Sequence, residues 1–302
     1  MQHEWTDQER SLIKEWAAFC DVRRLSRGQQ SKLLRVAGST LSQLHNCSYP
    51  GRVPGIQERM QRHMRRERMR ESAPSAPPYA TTSVTEEVIR AINIAHTERV
   101  IVLLLGPTGV GKTMGIHRYC QAEPETILVT AGIGCSPWAI TRELAGRLGQ
   151  SWQGSVYNMR LQIADDLRGT RRLVIVDEID YVKEPVVQVL RQIQEDAGVG
   201  MVWAGTEAYL RRLRARKSST IRQVLGRIKH AVHLARCTDD DLAGILAPYD
   251  LSDEALEALV EGACGEARRA VNAMVAAKRL NGKGISAATI RRAYETLMPV
   301  EE

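Results

Sequence analysis

A glycine-rich stretch directly after an apolar run constrains the fold of this chain more than any other sequence feature. The run VIVLLL at residues 100–105 is followed by GPTGVGKT at residues 106–113, which fits the pattern G-x-x-x-x-G-K-[ST]. In this pattern a loop joins a buried strand to a helix, and the backbone N–H groups of the loop point at phosphate oxygens. The stretch therefore predicts an α/β domain that binds a nucleoside triphosphate.

The side chains that follow the glycines have separate predicted roles. Lys112 is expected to neutralise the β- and γ-phosphates, and the Thr113 hydroxyl is expected to ligate Mg²⁺. The predicted nucleotide-binding residues are those of the loop and the helix start: Gly106, Pro107, Thr108, Gly109, Val110, Gly111, Lys112, Thr113 and Met114.

Two acidic residues follow another apolar run. The run LVIV at residues 173–176 precedes Asp177 and Glu178, about 65 residues after Lys112. We expect Asp177 to hold the magnesium through water and Glu178 to polarise the attacking water. The adjacent glutamate favours ATP hydrolysis over nucleotide binding alone. Asp180 is either a support residue or a helix N-terminal acid.

Further polar residues lie near the predicted sheet edge. Thr206 follows the run VGMVWA and is expected to hydrogen-bond the γ-phosphate or the lytic water; the alternative interpretation is a helix N-cap, and the two roles are compatible. Arg227 precedes the last apolar run and is the predicted arginine that acts on a neighbouring subunit, with Arg222 as the competing candidate. One residue of the pair Arg268 and Arg269 is expected to reach the γ-phosphate.

The order of apolar runs predicts the architecture. Five short runs are separated by helical segments, at residues 100–105, 126–131, 173–176, 199–204 and 230–235. Such runs are typical of parallel strands that are covered on both faces. The predicted domains are a basic helical domain at 1–70, a Pro/Ser-rich linker at 71–83, an α/β core at 84–237 and a helical domain at 238–302.

Positive charge is concentrated in two places. Residues 1–70 hold 14 Lys and Arg against 7 Asp and Glu, whereas the rest of the chain holds 28 of each. Residues 207–236 contain nine basic residues and one acid. Two separate basic blocks predict an extended polyanion as a partner, of which nucleic acid is the usual one, although solvated faces are the alternative interpretation of either block.

The first basic block also has the pattern of two short helices. A helix around residues 29–36, a turn at Ala37 and Gly38, and a second helix capped by Ser39 predict a helix-turn-helix unit. Such pairs also serve as protein-docking modules. The predicted DNA-contacting residues are exposed side chains of the second helix and arginines of the stretch behind it: Thr40, Ser42, Gln43, His45, Arg59, Arg62, Arg65 and Arg66.

Several classes of protein are not expected. The six cysteines are scattered without CxxC pairs, so we predict reduced thiols and neither a disulfide framework nor a zinc site. The longest uncharged apolar stretch, residues 100–111, is far short of the roughly 20 residues that a membrane span needs. With no apolar signal core near the N-terminus, we expect a cytoplasmic protein.

Taken in their order and spacing over residues 84–295, these motifs resemble the AAA+ ATPases. In detail they are similar to the branch of transposition-regulator ATPases that includes the Mu B type, although that branch tends to carry asparagine where this chain has Thr206. The resemblance implies an AAA+ P-loop core with a five-stranded parallel sheet, a C-terminal helical lid and an N-terminal helix-turn-helix domain. It also implies Walker A residues Lys112 and Thr113, Walker B residues Asp177 and Glu178, sensors Thr206 and Arg268, and an arginine finger at Arg227.

The resemblance further implies a function. Such a protein assembles with ATP and Mg²⁺ into a filament or ring on duplex DNA, marks that DNA for a transposase and is released by hydrolysis. An origin-recognition or loader-type AAA+ ATPase is one alternative, and it would be expected to carry a winged helix after the lid, where few residues follow here. A DNA-binding regulator that does not hydrolyse its nucleotide is the other.

Overall fold

The structure, a computed structural model, describes residues 5–71, 79–151, 154–216, 218–281 and 284–297. Its internal contacts divide the chain into two units, Met1–Pro74 and Ser75–Glu302. Residues 72–78 of the predicted linker lie outside the described residues. The last part of the predicted linker is packed: Ala80 lies against the core of the second unit, and the buried Thr82 caps a helix.

The first unit consists of four helices around a small apolar core. They are α1 (Asp7–Val22), α2 (Arg27–Leu34), α3 (Gly38–His45) and α4 (Pro54–Glu71). Thr6 and Ser26 form capping boxes with Glu9 and Gln29, which fixes the starts of α1 and α2. Trp16 is fully buried at the centre of the core, together with leucines and methionines of the other three helices.

The predicted pair of short helices is present with shifted bounds. Helix α2 starts two residues before the predicted position and ends at Leu34, because Arg35 takes a left-handed conformation with φ 51°. Helix α3 is preceded by Ala37 and not by a side-chain cap from Ser39. Leu33, an apolar residue of α2, is 38% exposed.

The second unit is built on a five-stranded, all-parallel sheet in the order β2-β3-β4-β1-β5. The predicted α/β class and parallel sheet are confirmed. The strands are β1 (Ile101–Leu105), β2 (Ile127–Thr130), β3 (Leu173–Asp177), β4 (Gly200–Gly205) and β5 (Ile228–His233). The last strand begins two residues before the predicted run, so Arg227 ends the helix that directly precedes it.

Helices connect the strands and then continue beyond the sheet. The core helices are α5 (Ser83–Glu98), α6 (Lys112–Ala122), α7 (Pro137–Arg147), α8 (Val156–Leu167), α9 (Glu184–Ala197), α10 (Glu207–Ala215) and α11 (Ser219–Arg227). A single 3-10 turn, Ile179–Tyr181, follows β3. The helices after the sheet correspond to the predicted lid and are called the lid below: α12 (Asp239–Leu246), α13 (Asp253–Ala263), α14 (Ala267–Asn281) and α15 (Ala287–Glu295), with a 3-10 turn at Ala247–Tyr249.

The central strands are buried on both faces. Alternate residues of β1 enter different cores: Val102 and Leu104 pack with α5, α6 and the lid, whereas Leu103 packs with the helices of the opposite face. This arrangement explains why the strands are continuously apolar in sequence. It also brings the carboxyl ends of β1, β3 and β4 to one edge of the sheet, where the predicted chemical residues lie.

Candidate functional site

A cleft of about 790 Å³ opens at the carboxyl edge of the sheet. Its floor is the loop after β1 and the turn after β3, and its other walls come from α10, the lid and the segment before α5. Its lining includes most of the residues that the sequence predicted for a nucleotide site: Thr108, Gly109, Val110, Gly111, Lys112, Thr113, Met114, Asp177, Glu178, Thr206 and Arg268. Gly106 and Pro107 line an adjacent cavity on the other side of the loop.

The loop after β1 has the conformation that its glycines allow. Gly109 and Gly111 take φ values of 77° and 110°, a region that favours glycine, and Gly111 directly precedes α6. This path places backbone N–H groups and the amino end of α6 at the cleft. An anion in the cleft would meet the positive end of that helix.

Lys112 lies within this loop. Its ammonium group donates hydrogen bonds to the carbonyl oxygens of Gly106 at 2.7 Å and Pro107 at 2.6 Å. Burial lowers the pKa of Lys112 below its ordinary value, while the charges of Asp177 and Asp180 act in the opposite direction. A partly desolvated cation gains more from a bound anion than an exposed one, so the environment of this lysine suits a phosphate group.

The Thr113 hydroxyl and the Asp177 carboxylate meet at the same end of the cleft. Thr113 Oγ1 donates to Asp177 Oδ2 at 2.9 Å, and the other carboxylate oxygen accepts the N–H of Glu178 at 2.8 Å. Asp177 is only 4% exposed. A hydroxyl and one carboxylate are oxygen ligands of the kind that Mg²⁺ prefers when phosphates and waters complete its coordination. The residues present therefore fit a magnesium nucleotide.

A metal held by protein side chains alone has no such support. Among the described residues, no group of three or more His, Cys, Asp and Glu side chains has the arrangement of a metal site. The described cysteines are all free thiols.

Among the residues that the structure describes, no helix is both long and apolar enough to cross a membrane.

Glu178 stands in an unusual backbone conformation. Its φ of 55° is in the left-handed region, which costs a non-glycine residue roughly 1–2 kcal/mol. Its side chain is exposed on the cleft wall, and none of the described side chains pairs with it. Backbone strain of this kind is concentrated at functional sites, and here it occurs at a residue that lines the cleft.

Thr206 occupies the first position before α10, but its side chain does not cap that helix. Its hydroxyl donates to Asp180 Oδ1 at 2.5 Å, and its backbone N–H donates to Asp180 Oδ2 at 2.9 Å. Two roles were considered for Asp180, a support residue or a helix N-terminal acid. Its contacts with Thr206 at the cleft favour the support role. Thr206 is thus the N-cap residue of α10 by position, as the alternative interpretation expected, but its hydroxyl supplies no capping hydrogen bond because it is bonded to Asp180.

The lid contributes Arg268 to the cleft. The backbone N–H of Arg268 donates to the carbonyl of Gly109 at 3.0 Å, which joins the start of α14 to the phosphate loop. The neighbouring Arg269 instead donates to the carbonyl of Gly262 and lies over the ring of Tyr294 at 5.1 Å. Arg268 is therefore the member of the pair that the structure brings to the nucleotide cleft.

Neither candidate for the arginine finger lines the cleft of its own subunit. Arg227 is 62% exposed and pairs with Glu195, with Nε and Oε1 2.6 Å apart. Arg222 is exposed, and no side-chain partner lies near it within the described residues. The arginine that does reach this cleft is Arg212, which donates to the carbonyl of Asp180.

The structure adds cleft residues that sequence reasoning missed. Tyr79, Ala80, Thr82 and Thr85 come from the predicted linker and α5, and Ile245 and Val271 come from the lid. Their sequence signals were ambiguous, because Tyr79 follows two prolines and the lid residues follow ordinary helical apolar spacing. Together they give one end of the cleft an apolar character that suits a nucleobase.

The predicted DNA-contacting residues of the first unit fall into two groups. Ser42, Gln43, Arg62, Arg65 and Arg66 are exposed, although Arg62 pairs with Glu58 and the Ser42 hydroxyl bonds to the carbonyl of Gly38. The remaining predicted residues, partly buried, are Thr40, His45 and Arg59.

His45 departs most from the prediction of an exposed contact. Its Nε2 lies 3.0 Å from Oε1 of the buried Gln30, which in turn donates to the carbonyl of Leu25. Burial lowers the pKa of His45, and the charge of Arg27 acts in the same direction. This histidine therefore supports the packing of α2 on α3, and its spacing four residues after the buried Leu41 is the signal that the prediction of exposure missed.

Comparisons with known proteins agree with this geometry. A family described as an AAA domain matches residues 95–213. The Mu-like prophage FluMu DNA transposition protein B of Haemophilus influenzae is 27% identical over 194 residues, covering 61% of this chain and 67% of that protein. The ATP-dependent target DNA activator B of Escherichia phage Mu is 23% identical over 218 residues, covering 71% of this chain and 70% of that protein.

A solved structure shows the same fold at low sequence identity. The Aeropyrum pernix ORC2 protein, in ADPNP and ADP complexes, superposes with a TM-score of 0.52 at 18% identity, covering 74% of this chain and 70% of that chain. At this identity the likeness concerns the arrangement of helices and strands alone.

Proposed function

Since this chain belongs to the AAA+ ATPases of the phage Mu transposition protein B type, we propose that it is an ATP-dependent DNA-binding ATPase that selects target DNA for a transposase. One observation carries the proposal: Lys112, Thr113 and Asp177 meet at one end of a cleft that also presents the unpaired carboxylate of Glu178. Binding and hydrolysis of a magnesium nucleotide both need this set of groups.

Each group has a defined task in this proposal. Lys112 and the N–H groups of the loop hold the phosphates, while Thr113 and Asp177 hold Mg²⁺. When bound, that ion neutralises charge that develops on the phosphates. Glu178 accepts a proton from the attacking water. Arg268 brings a positive charge from the lid to the same cleft and senses the γ-phosphate.

Assembly supplies the remaining catalytic group. The exposed Arg227 lies away from its own cleft, so it acts on the nucleotide of a neighbouring subunit in a filament or ring. Arg222, the exposed alternative, lies earlier on the same helix. This arrangement makes hydrolysis depend on assembly, and hydrolysis then releases the protein from DNA.

Duplex DNA and a transposase are the proposed partners. Of the two relatives described above, one is named an ATP-dependent target DNA activator and the other a DNA transposition protein. In this chain, exposed basic residues of the core, Arg211, Arg214 and Lys229, together with the basic first unit, provide phosphate contacts. We expect the nucleotide-gated contact on the core and additional affinity from residues 1–70, in the cytoplasm of the host cell.

A first experiment tests nucleotide-gated DNA assembly. Wild-type protein with ATP and duplex DNA is expected to decorate the DNA continuously in electron micrographs, and Lys112→Ala is expected to lose both ATP binding and decoration. Lys183→Ala, an exposed lysine outside the cleft, is the matched control and should behave as wild type. ATP-dependent decoration by Lys112→Ala would remove the loop from the mechanism. Binding only at discrete sites would favour an origin-recognition or loader-type protein.

A second experiment tests catalysis between subunits. Arg227→Ala and Lys112→Ala should each be inactive as ATPases, whereas a mixture should recover activity, because each variant supplies the half-site that the other lacks. Recovery with Arg222→Ala instead would identify that residue as the finger. If no mixture recovers activity while wild-type protein is oligomeric, the site is completed within one chain. ATP turnover that DNA leaves unchanged would favour a nucleotide-bound regulator.

A further inference from the structure

The 3-10 turn after β3 directly follows Glu178. The carboxylate of Asp180, in this turn, is hydrogen-bonded to the residue that follows β4. Both oxygens of Asp180 bind the same residue, Thr206: Oδ1 accepts its hydroxyl at 2.5 Å and Oδ2 accepts its backbone N–H at 2.9 Å. The carbonyl of Asp180 accepts a hydrogen bond from Arg212 of α10. The 3-10 turn is therefore fastened to the end of β4 and to α10 at Asp180.

The close approach of the two strand ends depends on Gly205. A Cβ at this position would lie 2.6 Å from Cγ2 of Ile179 and 2.7 Å from Oδ2 of Asp180. Ile179 is fully buried, so it has little freedom to give way. The absence of a side chain at Gly205 is what lets the Asp180 carboxylate reach Thr206.

The same contact determines which way the Thr206 hydroxyl points its proton. An ionised carboxylate has only acceptor oxygens, and a hydroxyl has one proton and two lone pairs. Because Thr206 Oγ1 gives its proton to Asp180, only its lone pairs remain for the cleft. In that state the hydroxyl accepts a hydrogen bond but has no proton to donate.

We propose that Asp180 is a positioning residue for hydrolysis. Asp180 orients the Thr206 hydroxyl as an acceptor for the attacking water, and it holds Thr206 beside Glu178. This inference rests on the proposed ATPase function. It excludes the γ-phosphate as the group that Thr206 binds, because a phosphate oxygen needs a donor. The attacking water then has two acceptors in this wall of the cleft, Glu178 for the proton to be removed and Thr206 for the second hydrogen.

A purely structural role for Asp180 makes different predictions. If Asp180 only supported the fold, its loss would reduce stability and would affect nucleotide binding and turnover together. If it acts through Thr206, its loss reduces turnover and leaves nucleotide affinity unchanged, because the loop residues and Mg²⁺ ligands bind the nucleotide without it. The two residues should also give non-additive losses, since each removes the same oriented hydroxyl.

The experiment measures ATP turnover and nucleotide affinity for Asp180→Asn, Asp180→Ala, Thr206→Val and the double variant Asp180→Ala/Thr206→Val. Asparagine keeps the shape of the side chain, but its amide group donates to the Thr206 hydroxyl and frees the hydroxyl proton. We expect kcat to fall about 10- to 100-fold in each variant, the range of one positioned catalytic contact, with affinity for a fluorescent ATP analogue within about threefold of wild type. The double variant should be no slower than Thr206→Val.

Two further variants serve as controls. Thr206→Ser keeps the hydroxyl and should retain most activity in the wild-type background, but it should give no recovery when combined with Asp180→Ala. Asp240→Asn changes an exposed acid in the first turn of α12 and should leave turnover unchanged. Thermal unfolding of every variant identifies any that do not fold, and Asp180→Asn remains the test if Asp180→Ala fails.

The outcomes are distinct. Wild-type kcat in Asp180→Asn, equal losses of kcat and ATP affinity, or multiplicative losses in the double variant would each overturn the inference and leave the proposed function intact. Absence of turnover in wild-type protein with ATP, Mg²⁺ and duplex DNA would overturn the proposed function and this inference with it.

Discussion

Gly205→Ala should lower the stability of the second unit, because the structure has no room for a methyl group at the end of β4. The new Cβ would lie 2.6 Å from Cγ2 of Ile179 and 2.7 Å from Oδ2 of Asp180. Carbon atoms are normally separated by about 3.5–4.0 Å, so the overlap is about 1 Å. Neither neighbour moves freely, since Ile179 is fully buried and Oδ2 is bonded to Thr206.

The expected magnitude follows from these distances. Overpacking a well-filled site costs roughly 1–3 kcal/mol, and the reduced freedom of the unfolded chain offsets about 0.4–1 kcal/mol of that cost. The free energy of unfolding should therefore fall by about 1–2 kcal/mol. For a unit of this size the Tm should fall by roughly 2–8 °C, since each kcal/mol corresponds to about 2–4 °C.

A second glycine provides the matched control. Gly244 lies in α12, is exposed and has no heavy atom within 4 Å of an added Cβ. Alanine is more favourable than glycine within a helix by about 0.5–1 kcal/mol, so Gly244→Ala should raise the Tm. Calorimetry of both variants measures the effect, and ATPase assays report whether the displaced turn also slows turnover. Equal or higher Tm for Gly205→Ala would refute this account of the strand ends.

Three other perturbations test separate parts of the molecule. Glu178→Gln should bind ATP normally, turn over orders of magnitude more slowly and form longer-lived DNA complexes, and faster dissociation from DNA in ATP would contradict its role as the base. Removing residues 1–70 should weaken DNA binding but leave its dependence on ATP intact. The log-log slope of affinity against salt should flatten by about 0.9 for each DNA phosphate that the truncated protein no longer neutralises. If the truncated protein bound DNA equally with and without ATP, the nucleotide-gated contact would not lie on the core. Burial acts to raise the pKa of Asp241, but hydrogen bonds from Ser83 and Thr238 outweigh it and hold the pKa below the ordinary value of an aspartate. Because this folded-state pKa is depressed, the stability that Asp241 contributes is present above about pH 4 and is lost as pH falls through the lower folded value. The difference in unfolding free energy between wild type and Asp241→Asn should accordingly shrink below pH 4, and a difference that grows there would contradict the assignment.

Local sequence pattern was sufficient for the sheet and the phosphate loop. The apolar runs of β1, β3 and β4 are continuous because both faces of these strands are buried, and a glycine pattern at a strand end has few alternative structures. The pattern was less informative for β5, an edge strand in which partly buried and exposed residues alternate. Its start at Ile228 therefore lay before the predicted apolar run.

Interactions between distant residues could not be predicted in the same way. The bond between Thr206 and Asp180 joins positions 26 residues apart, and it depends on the backbone approach at Gly205. His45 was expected to be exposed together with the other polar residues of α3, but Gln30 of the preceding helix pairs with it. Tyr79 lines the cleft although its neighbours in sequence, prolines and small residues, are typical of a linker.

The hydrogen bond from the Arg268 N–H to the Gly109 carbonyl joins the lid directly to the phosphate loop. The thiol of Cys237, at the entry to the lid, also donates to the carbonyl of Val110 in the same loop. A ligand that favours one orientation of the loop therefore favours the corresponding orientation of the lid, and thermodynamic reciprocity makes the converse effect equal in size. A partner that binds the lid helices in only one orientation therefore changes the affinity of the protein for ATP. ATP changes the affinity of the protein for that partner by the same factor.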